Sequence, residues 1–261
     1  MHRVRINDEF GTLRTAVVHD AGNAVDTTVE DLRRFTRAKE LKDHPESGSS
    51  FKKRIIELHA RFRKVLAENG VRLLSPAPQP EAFCQVFTRD PCFAIGDRLL
   101  VGSLRDEYRQ VEIAGLRQLR KQFTKVINLS GDGATIEGGD VLVLGEGRRV
   151  LVGMHRHTNE EGFRKLVAAL AGSGIEVIKV PHRALHLDCC LAPLPDRAAL
   201  YAAAKLPDGS VDTLKTCFVE MILLDPDEAA LHLAANIFWI DRRRVVSSSA
   251  TKKTNKLLRK R

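Results

Sequence analysis

Short runs of Val, Ile and Leu alternate along this chain with longer stretches in which apolar residues recur every three or four positions. Leu13 to His19, Leu99 to Val101, Val141 to Leu144, Val150 to Val152, Ile175 to Val180 and Ile237 to Ile240 predict strands, since short β-branched runs suit a buried pleated surface. Leu32 to Ala38, Lys52 to Asn69, Tyr108 to Phe123 and Glu160 to Ala171 predict helices. Within Lys52 to Asn69, Ile55, Leu58, Phe62 and Leu66 fall at helical spacing and mark a buried stripe, and Gly70 supplies the stop. Asp43 to Ser50, with Pro45, Gly48 and a serine pair, reads as a loop long enough to act as a flap.

Alternating strands and helices indicate an α/β protein. An internal repeat sharpens that reading. Asp97-Arg98-Leu99-Leu100-Val101-Gly102 leads into a helix at Tyr108. Arg148-Arg149-Val150-Leu151-Val152-Gly153 leads through Thr158-Asn159 into another. Arg242-Arg243-Arg244-Val245-Val246 leads through Thr254-Asn255 into Lys256-Leu257-Leu258. The first two lie about fifty residues apart and the third about two such steps further on. Stacked units of hairpin, polar loop and helix predict a propeller-like ring. No interior stretch has the composition of a linker, so residues 1–261 read as one domain. The last unit stops at the start of its helix, which gives the expectation of a missing C-terminal segment.

Composition narrows the function. Residues AVILMFWYC make up 43% of the 261 positions, enough for a globular core. The formal charge is +9, and Lys252, Lys253, Lys256, Arg259, Lys260 and Arg261 crowd the end. Such a run is most simply a solvated helix face; binding of nucleic acid or an acidic partner is the sharper alternative. Aromatic residues at 5% argue against a surface that stacks bases. Cys84, Cys92, Cys189, Cys190 and Cys217 are odd in number and contain no CxxC pair, so neither a zinc ribbon nor a redox motif is expected. The first residues lack the apolar run of a signal peptide, and no stretch approaches a membrane span. Free thiols and these absences fit a reducing, cytoplasmic setting.

Three acidic words stand where apolar segments end or turn. In Phe87-Thr88-Arg89-Asp90-Pro91, Pro91 biases Asp90 toward an extended backbone. Asp90 there is either a turn cap or a carboxylate free to accept the several donors of a planar guanidinium. In Glu137-Gly138-Gly139-Asp140 the glycines permit a close turn at the mouth of Val141-Leu142-Val143-Leu144, which is either a strand entry or a pair of placed carboxylates. In His186-Leu187-Asp188, strand geometry would point His186 and Asp188 to one face with Leu187 packed behind.

These words occur in the order found in the guanidino-group-modifying enzymes, or penteins, and the chain resembles that superfamily: dimethylarginine dimethylaminohydrolases, arginine deiminases and amidinotransferases. Phe10-Gly11-Thr12-Leu13-Arg14-Thr15-Ala16-Val17-Val18-His19 is similar to the family's first strand. The resemblance implies an α/β propeller of about five ββαβ repeats, the last incomplete here. It implies that Asp90 and Asp188 hold a substrate guanidinium, with Phe87 beside them, that His186 is the general acid/base, and that Glu137 orients it. Asp140 is either a further ligand or a clamp on the loop. Where relatives carry an Arg-Thr-Asn run that grips a substrate carboxylate, this chain has His157-Thr158-Asn159, so Arg156 and Arg109 are each either a carboxylate binder or a solvated surface arginine. The implied reaction hydrolyses a guanidino compound to a ureido product through a cysteine-bound amidino intermediate, with no metal or other cofactor. The nucleophile is expected beyond Arg261, with Cys189 and Cys190 as the nearest substitutes and core packing as their simpler role. The alternatives are an amidinotransferase, or an impaired relative that only binds. A small guanidino substrate is the expected partner, with no membrane or nucleic acid, and a homo-oligomer is compatible with the sequence.

Overall fold

A computed structural model describes residues 3–19, 21, 49–79, 82, 84–145 and 147–261. The helix expected at 32–38 and positions 43–48 of the expected loop lie outside the described residues. The chain divides into two compact units, one of Met1–Leu13, Arg89–Arg105 and Phe123–Arg261, the other of Arg14–Thr88 and Asp106–Gln122.

The second of these is built on a strand–helix–strand unit. Strand β1 (Thr15–Val17) pairs in parallel with β2 (Arg72–Leu74), and helix α1 (Ser49–Glu68) makes the crossover. The helix ends just before Gly70, as its pattern predicts. Its stripe is narrower than expected: Leu66 is fully buried and Ile55 and Phe62 half-buried, but Leu58 is exposed. The helix expected from Tyr108 to Phe123 is instead broken into a single turn at Glu107–Arg109, α2 (Val111–Gly115) and α3 (Arg117–Arg120). The break coincides with a competing donor: the Gly115 carbonyl accepts the N–H of Ala77, and the Leu116 N–H turns back to the carbonyls of Ile113 and Ala114.

In the other unit the repeat is explicit. Strands β3 (Cys92–Ile95) and β4 (Arg98–Val101) form an antiparallel hairpin, and β5 (Val126–Asn128) joins β4 in parallel. Strands β6 (Val141–Leu144) and β7 (Arg149–Met154) repeat the hairpin, α4 (Glu160–Ala169) crosses over, and β8 (Glu176–Pro181) joins β7 in parallel. Strands β9 (Leu191–Leu194) and β10 (Ala198–Tyr201), α5 (Asp208–Cys217) and β11 (Glu220–Leu223) repeat it again. After α6 (Pro226–His232), β12 (Phe238–Asp241) and β13 (Arg244–Val246) form a last hairpin that leads to α7 (Lys252–Leu258). That helix begins at Lys252, four residues before its expected start, so Thr254 and Asn255 lie inside it. The α/β class holds.

The β9–β11 repeat is the one that the apolar pattern skips. Its first strand carries Pro193, its second is alanine-rich, and its turn uses Asp196 and Arg197 at positive φ in place of glycine. Every residue of β6 and β9 is buried, and for β6 this explains the continuous apolar run Val141 to Leu144. One buried cluster joins Leu151, Leu187, Cys190, Leu200 and Leu214, and a second joins Phe93, Leu100, Ile136, Val150 and Leu166. Among the described residues no helix is long and apolar enough to cross a membrane.

Candidate active site

Each of the three acidic words immediately precedes the first strand of a hairpin. Asp90 stands two residues before β3, Glu137 to Asp140 lead into β6, and His186 to Asp188 lead into β9. The repeat therefore delivers them from equivalent positions, and hydrogen bonds stitch them together. The N–H of Gly138 donates to the Asp90 carbonyl at 3.0 Å. A Cβ on Gly138 would lie 2.0 Å from the Arg89 carbonyl oxygen, and one on Gly139 would lie 2.7 Å from Cγ of His186. Only glycine lets the first word and the imidazole approach this backbone so closely.

Glu137 is the hub. Its side chain is fully buried. Oε1 accepts the Arg105 N–H at 2.9 Å and lies 3.0 Å from Nδ1 of His157, while Oε2 lies 2.9 Å from Nε2 of His186. Burial by itself would raise the Glu137 carboxyl; the hydrogen bonds from His157 and His186, the neighbouring imidazole charge and the Arg105 N–H outweigh it and hold the group well below the usual carboxylate range. Burial likewise favours a neutral His186. The bond to Glu137 and the charges of Asp90, Asp140 and Asp188 prevail and raise the imidazole to about 9. Asp90 Oδ1 faces the other ring nitrogen, Nδ1, at 3.8 Å. His186 is thus a buried imidazolium between two carboxylates.

Asp188 sits inside a 3₁₀ turn, Leu187–Cys189, that His186 caps, and not on the expected strand. The expected placement of Leu187 survives for a different reason: its N–H donates to Asp140 Oδ1 at 2.9 Å and its side chain is fully buried. Asp188 Oδ2 lies 3.5 Å from Nε of Arg89, whose guanidinium also bonds the carbonyls of Gly138 and Val141 and reaches Glu9. Burial raises the Asp188 carboxyl to about 6 despite the opposing charges of Arg89 and His186.

Asp140 is fully buried, and its oxygens are taken by the chain. Oδ1 meets the Leu187 N–H and Nε2 of His182 at 3.0 Å, and Oδ2 accepts the Thr158 hydroxyl at 2.7 Å. This geometry favours the clamp over the ligand. Arg156 is exposed. Phe87 and Arg109 belong to the other unit. There Phe87 is exposed, and Arg109 is buried and forked onto Glu112 at 2.8 and 2.9 Å, so its guanidinium is committed within that unit rather than free for a substrate carboxylate.

Two members of the cluster escaped the sequence reading. His157 figured only as a departure from an arginine, yet it is buried on Glu137 with its ring 4.8 Å from that of His186. The signal available was Asn159, which caps α4 by accepting from the N–H of Gly162 and so fixes the loop that aims His157 and Thr158 inward. His182, against Asp140, has no sequence signal; its Nδ1 is buried without a hydrogen-bond partner. The cysteines beside the site are poor nucleophiles. Burial and the nearby Asp188 push the Cys189 thiol well above its usual value and that of Cys190 up to about 12.

The chain is 26% identical over 198 residues to the N(G),N(G)-dimethylarginine dimethylaminohydrolase of Streptomyces coelicolor, covering 76% of this chain and 72% of that protein. Its fold matches SxtG, an amidinotransferase from Microseira wollei, with a TM-score of 0.81 at 17% identity over 98% of this chain and 88% of that one. It also matches a mutant dimethylarginine dimethylaminohydrolase of Pseudomonas aeruginosa complexed with citrulline, with a TM-score of 0.76 at 20% identity over 95% and 89% of the two chains. The arginine deiminase family model matches residues 78–216, more than half of the chain. With its acidic words brought to one buried imidazole and its sequence matched over that span, the chain belongs to the arginine deiminase family, among the pentein relatives that also include dimethylarginine hydrolases and amidinotransferases.

Proposed function

We propose that this protein binds a guanidinium group against Asp90 and Asp188 and hydrolyses a small guanidino compound to a ureido product. The observation that carries the reading is the His186 ring set 2.9 Å from Glu137 and 3.8 Å from Asp90, a setting that favours its protonated form, with Asp188 adding a third carboxylate. Carboxylates of this kind stabilise a cationic carbon centre, and a protonated imidazole can hand its proton to a departing amine. A thiolate attacks the guanidinium carbon, the C–S bond forms, the C–N bond breaks, and the amine leaves with the proton from His186. Water then adds to the amidino carbon, His186 takes its proton, and the thiolate departs from the ureido product. Glu137 keeps the imidazole oriented throughout and favours its charged form before the first proton transfer and after the second. Asp140 holds the turn that presents His186. Cys189 and Cys190 are buried with raised thiols, so the reading takes the attacking thiol from outside residues 1–261. We also propose that the ββαβ repeats are blades of a propeller, as the family resemblance implies.

The test is calorimetric titration with a panel of free, methylated and decarboxylated arginines, comparing the parent chain with Asp90→Asn and Asp188→Asn. Each variant should bind at least about tenfold more weakly, the worth of one charge-assisted hydrogen bond. Absence of binding by every compound, or binding unchanged in both variants, would refute the reading. Where turnover is followed, a ureido product without added amine marks the hydrolase. A new guanidino compound that appears only with an added amine marks the transferase instead.

A further inference from the structure

Two histidine–carboxylate pairs join the same two segments, and only one of them takes part in the proposed proton transfers. Glu137 and Asp140 are the ends of one acidic word, and His182 and His186 bound the short connector between β8 and the Leu187–Cys189 turn. His186 Nε2 lies 2.9 Å from Glu137, and His182 Nε2 lies 3.0 Å from Asp140 Oδ1. Two glycines make room for these pairs. A Cβ on Gly139 would lie 2.7 Å from the His186 ring, and one on Gly153, in β7, would lie 2.7 Å from Asp140 Oδ1, 2.8 Å from His182 Nε2 and 2.8 Å from Leu187 Cβ. The His182 side chain is fully buried, and its Nδ1 has no hydrogen-bond partner among the described residues. An imidazole with one orphaned nitrogen is a costly filler, because a buried unpaired polar atom carries a desolvation cost that leucine avoids. What the imidazole supplies is a donor. A carboxylate only accepts, so the ring proton facing Asp140 is on Nε2.

We propose that His182 is a positioning residue: by donating to Asp140 it fixes the turn that sets His186 on Glu137. Its bond is one of three on Asp140, with the Leu187 N–H at 2.9 Å and the Thr158 hydroxyl at 2.7 Å. Thr158 also accepts the Glu137 N–H at 3.4 Å, so one hydroxyl links the two ends of the acidic word. Without the His182 donor, Oδ1 of Asp140 is held by the Leu187 N–H alone. Leu187 follows His186 directly, so a shift of that N–H is passed to the imidazole. The connector itself has anchors that do not depend on Asp140. The Ser210 hydroxyl donates to the Pro181 carbonyl at 2.6 Å, and the Arg183 N–H donates to the Lys205 carbonyl at 2.8 Å. His182 therefore steers Asp140 from a fixed base. The titratable groups against His182 are Asp140 and the exposed His155, whose ring lies 5.4 Å away. Those against His186 are Glu137, Asp90, Asp140, Asp188 and His157, so its titration reports how that set is arranged.

The experiment compares His182→Leu, which keeps an apolar filler and removes the donor, with His182→Gln, whose NH₂ group restores a donor near the place of Nε2. Histidine NMR should show the His186 midpoint, about 9 in the parent, lowered by at least about one pH unit in His182→Leu and largely recovered in His182→Gln. A residue that merely fills space would change urea unfolding and leave that midpoint unmoved. Calorimetry with arginine and its methylated and decarboxylated forms should show affinity about tenfold weaker in His182→Leu and recovered in His182→Gln. The affinity arm rests on the proposed function and the titration arm does not, so a parent that binds no guanidine refutes that function and leaves the His186 midpoint to decide this one. Should neither variant fold, long-range proton–nitrogen spectra of the parent decide, with the His182 proton expected on Nε2. The proposal is overturned by a parent-like His186 midpoint in folded His182→Leu, by parent-like affinity in that variant where the parent binds, by His182→Gln lying no closer to the parent than His182→Leu, or by a His182 ring protonated only at Nδ1.

Discussion

Replacing Glu137 by Gln keeps the shape of the side chain but exchanges one oxygen for an NH₂ group. The oxygen should stay with the Arg105 N–H and His157, which both donate to Oε1, and the NH₂ would then face Nε2 of His186. An NH₂ group can only donate, so His186 must offer a lone pair there and carry its proton on Nδ1, toward Asp90. In the parent protein His186 is raised from 6.5 to about 9. At pH 7.5 a group of pKa 9 is about 97% protonated and one of 6.5 about 9% protonated. The substitution therefore turns a charged acid into a neutral imidazole. The same shift is a stability term. A folded-state pKa above the unfolded value stabilises fully below pH 6.5, and the contribution is lost as pH rises through about 9. The difference of 2.5 units corresponds to about 3 kcal/mol. Glu137 has the opposite sign: its depressed carboxyl stabilises above the ordinary carboxylate range and loses that contribution only in strong acid. Urea unfolding should thus show Glu137→Gln less stable at pH 6.5 by up to about 3 kcal/mol through His186, with the gap narrowing above pH 9. Histidine NMR should place the His186 titration in the variant well below that of the parent protein. An unmoved His186 titration, or a stability gap of the same size at both pH values, would refute the reasoning.

Gly138→Ala forces a methyl group against the Arg89 carbonyl, 2.0 Å from its position, and should cost about 3 kcal/mol or more in urea unfolding; a neutral result would mean that this close approach is wrong. Gly139→Ala meets the ring of His186 at 2.7 Å instead, so it should displace the imidazole from Glu137 and lower its titration midpoint while the fold persists; an NMR titration like the parent's would contradict this. All five cysteines are buried and none is in a disulfide, so a disulfide reagent should label none rapidly in the native protein and all five in urea. One fast-reacting native thiol would overturn the assignment of Cys189 and Cys190 to packing.

Much of the candidate site was legible because its residues cluster in short words at strand mouths. Asp90, Glu137, Asp140, His186 and Asp188 could be named from the sequence, since Pro91 and the Gly138-Gly139 pair mark turns next to apolar runs. His157 and His182 could not. Each reaches its carboxylate from another repeat segment, across 20 and 42 residues of sequence, and no local pattern records such a contact. The 3₁₀ turn at Leu187–Cys189 was likewise hidden. Asp140 secures it by accepting the Leu187 N–H, a bond formed only after the two hairpin entries meet. In the other unit, the pattern from Tyr108 to Phe123 has helical periodicity, but the ladder breaks where the Gly115 carbonyl accepts the Ala77 N–H.

The sequence by itself determined the α/β class, the hairpin repeat and the chemical types gathered at the hairpin entries, because periodicity, turn residues and apolar runs act over a few neighbouring positions. Only the tertiary structure decided what those groups are to one another. It made Glu137 a buried hub for two imidazoles, set His186 between carboxylates and engaged both oxygens of Asp140 within the chain. Protonation state and hydrogen-bond partner depend on burial and on charges a few ångströms away. Those distances arise only when the repeats fold onto a common core.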